Sequence, residues 1–175
     1  MGRAVAERQR PVADLQINFR QLAPSRKAPA IGDVFAVLPP DVLYLFGRVI
    51  AVDAAAHSFG PLVLVYLFRF RNAINDPPDR QHLQTSDLLV PPIMTNRLPW
   101  SRGYFQTVGN LQLGPGEVLS VNCFGDLRGR YYDEYNRQLP GPVGLVGLHA
   151  VHSYRTIDDE VSRALGIQLA PAGEE

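Results

Sequence analysis

The chain has little of what secreted and membrane proteins depend on. It holds a single cysteine, Cys123, which excludes an intrachain disulfide and a cysteine-based zinc cluster. Such cysteine usage is typical of a reducing cytoplasm, where we expect this protein to act. Its longest apolar stretch, "PLVLVYLF" at 61–68, is far shorter than the ~20 residues that span a bilayer. Residues 1–10 also lack the apolar run of a signal peptide, so we expect a soluble protein without a membrane partner.

The sequence is also poor in catalytic motifs. It has no glycine-rich loop with lysine that would cradle a phosphate and no nucleophilic serine in a G-x-S-x-G elbow. Cys123 lies in an apolar run without an adjacent basic residue, a setting typical of a core residue rather than a nucleophile. The residues therefore predict neither an enzyme nor a cofactor.

Two histidines offer a possible metal site. His149 and His152 lie close together in "HAVHSY", but no third histidine or carboxylate has ligand spacing nearby. We expect one of the two side chains to pack in the protein and the other to contact solvent. A metal-dependent hydrolase that uses both histidines remains an alternative.

The net charge of zero conceals an uneven distribution. Residues 1–30 hold six basic and two acidic residues, whereas the rest of the chain holds 11 basic and 15 acidic ones. A basic arm can attract nucleic acid, but basic residues scattered among polar and apolar ones are more typical of a solvated extension. An SH3-like small barrel that binds nucleic acid is the alternative that this arm keeps open, although we expect no nucleic-acid partner.

Length and composition predict one globular domain. With 175 residues, 46% hydrophobic and 19% charged, the chain can bury a substantial core but is too short for two full-sized domains. We divide it into a basic N-terminal arm at 1–30 with a possible strand at 15–22, a domain at 31–166 and a flexible tail at 167–175.

Three long apolar runs predict strands. The Gly32-Asp33 turn precedes a run at 34–38, which Pro39-Pro40 ends. The run at 43–52 is apolar on both faces, with Leu43, Leu45, Val49 and Ala51 on one side, as in a strand that is buried on both sides. Gly47 within it indicates a bulge or a close backbone approach. A third strand is expected at 62–71.

The remainder of the chain divides into a loop, short β-runs and a helix. Residues 72–88 lack any sustained period, which predicts a long exposed loop. Turn signals then separate short β-compatible runs, as in antiparallel pairing. These runs are "PPIMTNRL", "YFQTV", "VLSVNCF", "RYYDEY" and "VGLVGL".

One amphipathic helix is expected near the C-terminus. Thr156 is the expected cap, with Asp159 as its capping-box partner, acids in the first turn, and Gly166 at the end. Ile157, Val161 and Leu165 share one face. The predicted fold class is α+β, mainly antiparallel: a small sheet or open barrel with this helix packed on it.

Aromatic and arginine residues are frequent in the second half of the chain. Such side chains are preferred anchors of protein interfaces and of single-stranded nucleic-acid platforms, and they also fill cores. Asp133 and Glu134 are unsuited to acid-base catalysis, because neighbours on a strand point to opposite faces. The aromatic and arginine set is Trp100, Arg102, Tyr104, Phe105, Arg128, Arg130, Tyr131, Tyr132 and Tyr135.

Several segments of the chain occur in the same order as in a known protein family. They are "GDVFAV" at 32–37, "FGRVI" at 46–50, a P-x-x-T run at 92–95, "GYFQTVG" at 103–109 after Trp100, "YYDEY" at 131–135 and "GLHAVHSYRTIDDEVSRALG" at 147–166. With them, residues 30–166 resemble the immunity protein 26 family of bacterial polymorphic toxin systems. The resemblance implies a cytoplasmic protein that binds and neutralises a cognate toxin delivered between competing bacteria. It implies no catalytic residue.

Two segments are the expected toxin-binding surface, because both lack the apolar period of a core. One is the 72–88 loop with Asp76 and Asp79. The other runs from Arg128 to Tyr135, and we expect Tyr131 or Tyr135 to supply the buried anchor. The acidic groups suit a basic toxin such as a nuclease, whereas the arginines would contact an acidic toxin. The second segment contributes Arg128, Arg130, Tyr131, Asp133, Glu134 and Tyr135. The sequence leaves the oligomeric state open.

Overall fold

Nine strands and two α-helices make up the part of the chain that the computed structural model describes, residues 16–40 and 43–171. The strands are β1 (Asp33–Val37), β2 (Tyr44–Ala56), β3 (Phe59–Asn72), β4 (Ile93–Thr95), β5 (Gln106–Asn110), β6 (Cys123–Gly125), β7 (Tyr131–Tyr132), β8 (Gln138–Leu139) and β9 (Val146–Leu148). The helices are α1 (Leu98–Ser101) and α2 (Tyr154–Leu165).

The first sheet has five antiparallel strands in the order β4-β3-β2-β1-β5. Alternate side chains of its central strands enter two separate cores, so both faces are buried as the sequence predicts. Leu45 and Val49 lie in one core, but Ala51 lies in the other with Ile50. Its predicted face is wrong because the β2–β3 pairing shifts register between Val49 and Ala51.

Gly47 confirms the expected close approach. A Cβ at this position would contact the ring of Phe35 and would lie 2.7 Å from the carbonyl oxygen of Tyr66. The β2–β3 register also shifts between Leu45 and Gly47. Only glycine leaves room for the aromatic ring to cross the strand here.

The second sheet is smaller, with the order β8-β7-β6-β9. Its pairs are antiparallel except β6 with β9, which run parallel. Both sheets are open, and the α+β, mainly antiparallel fold class is confirmed. The predicted strand in "VLSVNCF" shrinks to the three residues of β6, where Cys123 is buried as expected.

Helix α2 packs on the first sheet as the sequence predicts. Ile157 and Val161 are fully buried in the same core as the β1 and β2 side chains. Its predicted start is wrong: the cap is Ser153, whose Oγ accepts from the Thr156 N–H at 3.2 Å. The acids consequently lie beyond the first turn. Gly166 ends the helix in the left-handed region, with φ of 69°.

The segment that precedes β1 is attached to this helix. The buried carboxylate of Asp158 accepts from the backbone N–H groups of Asn18 and Phe19, at 2.8 and 3.0 Å. The strand expected at 15–22 reduces to one bridge pair, Arg20 with Leu38. The arm residues 1–15 and the tail residues 172–175 lie outside the described residues.

The predicted exposed loop at 72–88 is partly buried. It contains two short 3-10 turns, Arg80–His82 and Thr85–Asp87, and the side chains of Leu83 and Leu88 enter the core. Those two isolated leucines give no period, which is why the sequence pattern missed them.

Candidate binding face on the second sheet

Two successive turns of the second sheet have the same construction. Residues 126–130 read D-L-R-G-R and residues 133–137 read D-E-Y-N-R. In each, the aspartate N–H donates to the arginine carbonyl at 2.9 Å, and the fourth residue, Gly129 or Asn136, has positive φ. Glycine and asparagine are the residues that tolerate this conformation best.

The aspartate carboxylate closes each turn. Oδ1 of Asp126 accepts from the N–H groups of Arg128 and Arg130, and Oδ2 accepts from Arg130 Nε at 2.8 Å. Asp133 makes the same set of contacts with Tyr135 and Arg137. The hydrogen bonds from the Arg130 backbone and side chain and from the Arg128 N–H lower the pKa of Asp126. Its carboxylate therefore remains charged at neutral pH, and the matching hydrogen bonds hold both turns in shape.

A cluster of three rings lies next to these turns. The rings of Tyr132 and His149 are 4.1 Å apart and nearly parallel, and the ring of His57 lies 4.4 Å from His149. His57 Nε2 is 2.9 Å from the carbonyl oxygen of His149. These contacts fix the second sheet to the turn between β2 and β3.

The expectation that one of the two histidines contacts solvent is wrong, because His149 and His152 are both buried. Their ring nitrogens have no hydrogen-bond partner among the described residues. Burial lowers the pKa of both, and for His149 the nearby His57 lowers it further. Both imidazoles are therefore neutral at pH 7.

The second sheet and its loops carry several exposed apolar side chains. Leu127, at the tip of the first turn, is 98% exposed and makes no contribution to the core. Large exposed hydrophobic groups are typical of interaction sites when they lie near one another. The exposed apolar residues of the second sheet and its loops are Leu127, Tyr135, Val143, Leu145 and Leu148, and Phe59 is exposed at the start of β3.

Glu134 points toward the body of the protein. Its Oε1 accepts from Nδ2 of Asn122 at 3.1 Å, and Oδ1 of Asn122 accepts from the Tyr66 hydroxyl at 2.5 Å. Burial raises the pKa of Tyr66 to about 12, so this hydroxyl keeps its proton. The backbone of Glu134 also accepts from the Ala55 N–H at 2.8 Å.

Tyr135 and Tyr131 differ in exposure. Tyr135 is about half exposed, whereas Tyr131 is partly buried in β7. The carboxylate of Asp53, followed by burial and Glu134, raises the pKa of Tyr135. Its phenol therefore remains a hydrogen-bond donor at neutral pH.

Asp76 and Asp79 lie elsewhere. They follow Asn72, which pairs with Tyr44 at one end of the β2–β3 ribbon, whereas Tyr135 lies near the opposite end. Asp76 accepts from Asn72 Nδ2 at 2.7 Å, and Asp79 accepts from the Gln81 N–H at 3.1 Å. The predicted residues from Arg128 to Tyr135 thus lie together in the structure. Asp76 and Asp79 lie apart from them, near the other end of the β2–β3 ribbon.

Sequence reasoning missed three parts of this face: His57, Leu127 and Leu148. Nothing local marks His57 or Leu148, because their place depends on long-range pairing. The signal that could have found Leu127 is the repeated pattern D-x-x-G/N-R. This pattern predicts two similar turns that expose the residues between the aspartate and the arginine.

Metal and membrane features are absent from the described part of the chain. Within residues 16–40 and 43–171, no three histidine, cysteine, aspartate or glutamate residues lie close enough to hold a metal ion. None of the helices found there is sufficiently long and apolar to cross a bilayer.

The sequence model of one family, Immunity protein 26, matches residues 30–126. The match covers more than half of the chain, and the chain belongs to this family. Comparison with curated proteins and with solved structures found no match. The matched range includes Asp76, Asp79 and the first sheet, and it ends at Asp126, where the first of the two turns begins.

Proposed function

We propose that this member of the immunity protein 26 family is a non-enzymatic, cytoplasmic protein that neutralises a cognate toxin of a bacterial polymorphic toxin system by binding to it. Its family membership is the observation that carries the proposal. Binding requires only a complementary surface.

The principal toxin-binding surface in this proposal is the turn face, which consists of the two turns at 126–137 together with His57 and residues 148–150. Its aspartates and Glu134 are engaged in internal hydrogen bonds, so they hold the surface in shape. Arg128, Tyr131 and Tyr135 then contact the toxin, and Arg130 supports them through its ion pair with Asp126 at 2.7 Å. A surface fixed before association loses little conformational entropy on binding.

Asp76 and Asp79 form a second, separate region in the proposal. Both are exposed and lie at the other end of the β2–β3 ribbon. We assign them a weaker role, in which they attract basic groups of the toxin and speed its association.

The decisive experiment is co-expression with the toxin domain encoded next to this gene in a sensitive host, with rescue of growth and co-purification as readouts. We expect rescue by the parent protein. Tyr135→Ala and Tyr131→Ala should each weaken co-purification, because both side chains contact the toxin in this proposal. Asp76→Lys/Asp79→Lys should mainly slow association. A matched control is Tyr154→Ala, which removes another partly exposed tyrosine that belongs to neither proposed region.

Each outcome bears on a separate statement. A parent protein that neither rescues nor binds contradicts the immunity function. Rescue and affinity unchanged by Tyr135→Ala and Tyr131→Ala, with folding intact, would contradict only the position of the principal surface.

A further inference from the structure

A cavity of about 460 Å³ opens between three segments of the turn face. They are the turn between β2 and β3, the turn at 126–130 and residues 148–150. This volume lies within the range of ligand-binding pockets. It is large enough to enclose a whole apolar side chain of a partner protein.

Leucine and alanine side chains form much of the wall. Leu127, Leu148 and Ala150 line the cavity, and the two leucines are exposed. An apolar side chain inserted between them would remove hydrophobic surface of both partners from water, which favours association. Leu127 has no role in the core, so a partner can cover it without a change in the packing of the protein.

The charge around the cavity is unbalanced toward positive. Arg130 and Asp126 both line it, but they neutralise each other in an ion pair at 2.7 Å. Arg128 lines it too, is exposed, and forms no ion pair with any described residue. One uncompensated guanidinium therefore lies beside the apolar wall, where it complements a carboxylate.

His149 adds an uncharged ring to the wall of the same cavity. It is a lining residue, and neither ring nitrogen has a partner among the described residues. A neutral imidazole carries one donor and one acceptor. Because both nitrogens are shielded from solvent, an occupant of the cavity contacts His149 as an uncharged, largely apolar surface.

We propose that this cavity is the anchor pocket for the toxin, and that it receives an apolar side chain of the toxin flanked by an aspartate or glutamate. The apolar group packs against Leu127 and Leu148, and the neighbouring carboxylate pairs with Arg128. This assignment rests on the proposed immunity function and specifies the chemistry of the bound partner.

The test measures binding of the purified full chain to the toxin domain at about 50 mM and about 300 mM NaCl, because salt screens an exposed ion pair. Leu127→Ala should weaken binding by about tenfold at both salt concentrations, as expected for loss of an apolar anchor. Arg128→Gln should weaken it by about fivefold at low salt and less at high salt. Matched controls are Leu98→Ala and Arg69→Gln, which alter an exposed leucine and an exposed arginine outside the cavity.

A labelling experiment provides an independent readout. Leu127→Cys places a thiol at the fully accessible turn tip, and the native Cys123 is buried and reacts little. We expect the toxin to protect this introduced thiol from alkylation. Leu98→Cys should be alkylated at the same rate with and without toxin.

The outcomes separate the pocket from the function. If the parent protein does not bind the toxin, the immunity function fails. If it binds, but Leu127→Ala and Arg128→Gln bind equally well and the thiol introduced by Leu127→Cys is not protected, the pocket assignment is overturned and the function stands. Tighter binding by Arg128→Glu would contradict the carboxylate as the partner group.

Discussion

Nη1 of Arg48 lies 2.6 Å from Oε2 of Glu117, and both side chains are buried. Arg48 projects from β2 and also donates to the carbonyl oxygens of Leu111 and Gln112. Arg80, at the start of a 3-10 turn, donates to the same carboxylate at 2.8 Å. Although burial by itself would raise the pKa of Glu117, hydrogen bonds from Arg80, the Gly114 N–H and Arg48 together lower it. The pair thus fixes the segment after β5 to the first sheet.

We expect Glu117→Ala to lower the free energy of unfolding by about 3–5 kcal/mol, because it leaves the buried guanidinium of Arg48 without its counter-charge. Urea denaturation measures the loss. Arg80→Ala is the control, since that side chain is half exposed and its removal should cost much less. Equal losses in the two variants would contradict the view that Arg48 is the partner that requires Glu117.

Gly47→Ala should destabilise the protein by about 1–3 kcal/mol or more, because the new methyl group overlaps the Phe35 ring and the Tyr66 carbonyl. The matched control is Gly109→Ala in β5, where a Cβ would meet no atom within 4 Å. Thermal unfolding of the two variants gives the comparison. A melting temperature for Gly47→Ala as high as that for Gly109→Ala would show that Phe35 moves aside without cost.

Val161→Asp should cost several kcal/mol of stability, because it places a carboxylate in the core between α2 and the first sheet. Ala164→Asp adds the same charge one turn later on the exposed side of the helix and should cost far less. Urea unfolding curves distinguish them. If Val161→Asp were as stable as the parent, the packing of α2 would be wrong.

Stability should fall as the pH decreases below about 6.5, the ordinary pKa of histidine. Burial lowers the pKa of His149 and His152 in the folded protein, so the unfolded chain binds protons that the folded chain excludes. The contribution of these two histidines to stability is fully present above the pKa that they have in the unfolded chain. It is lost as the pH falls toward their lower pKa in the folded protein. Unfolding free energies at pH 8, 6.5 and 5.5 measure this slope.

His152→Leu tests the assignment of that slope. Because neither ring nitrogen of His152 has a partner among the described residues, leucine should keep most of the stability at pH 8. The variant should also lose less stability on acidification than the parent. An unchanged slope would assign the pH dependence to other groups.

Much of the fold could be predicted from the sequence, because its signals act over a few residues. Alternating apolar residues and the Pro39-Pro40 break placed β1 to β3, since side chains of a strand point alternately to two faces. Gly47 in an otherwise apolar strand indicated a close approach, and Gly166 ended the helix because glycine adopts positive φ without strain. The order of the motifs indicated the family that the sequence comparison then showed.

Only the tertiary structure decided how these pieces make a surface. A single bulge at Val49–Ala51 moved Ala51 to the other face, and an isolated local pattern does not reveal such a shift. Ser153 is the helix cap instead of Thr156, because the bridge between His152 and Thr95 keeps the chain extended up to the residue before Ser153. Arginine is normally exposed, so nothing in the sequence predicted that Arg48 is buried. Its burial depends on the ion pair with Glu117, which is distant in the chain.

The candidate site shows the same division. The sequence predicted that Arg128 to Tyr135 lie outside the core, and it contains the D-x-x-G/N-R pattern that shapes two successive turns. Pairing of β6 with β7 and β9 decided that Leu148 and His149 lie beside the first turn. The long β2–β3 ribbon decided that Asp76 and Tyr135 lie near opposite ends. Local sequence sets the shape of each turn, whereas the neighbours of that turn depend on contacts between residues distant in the chain.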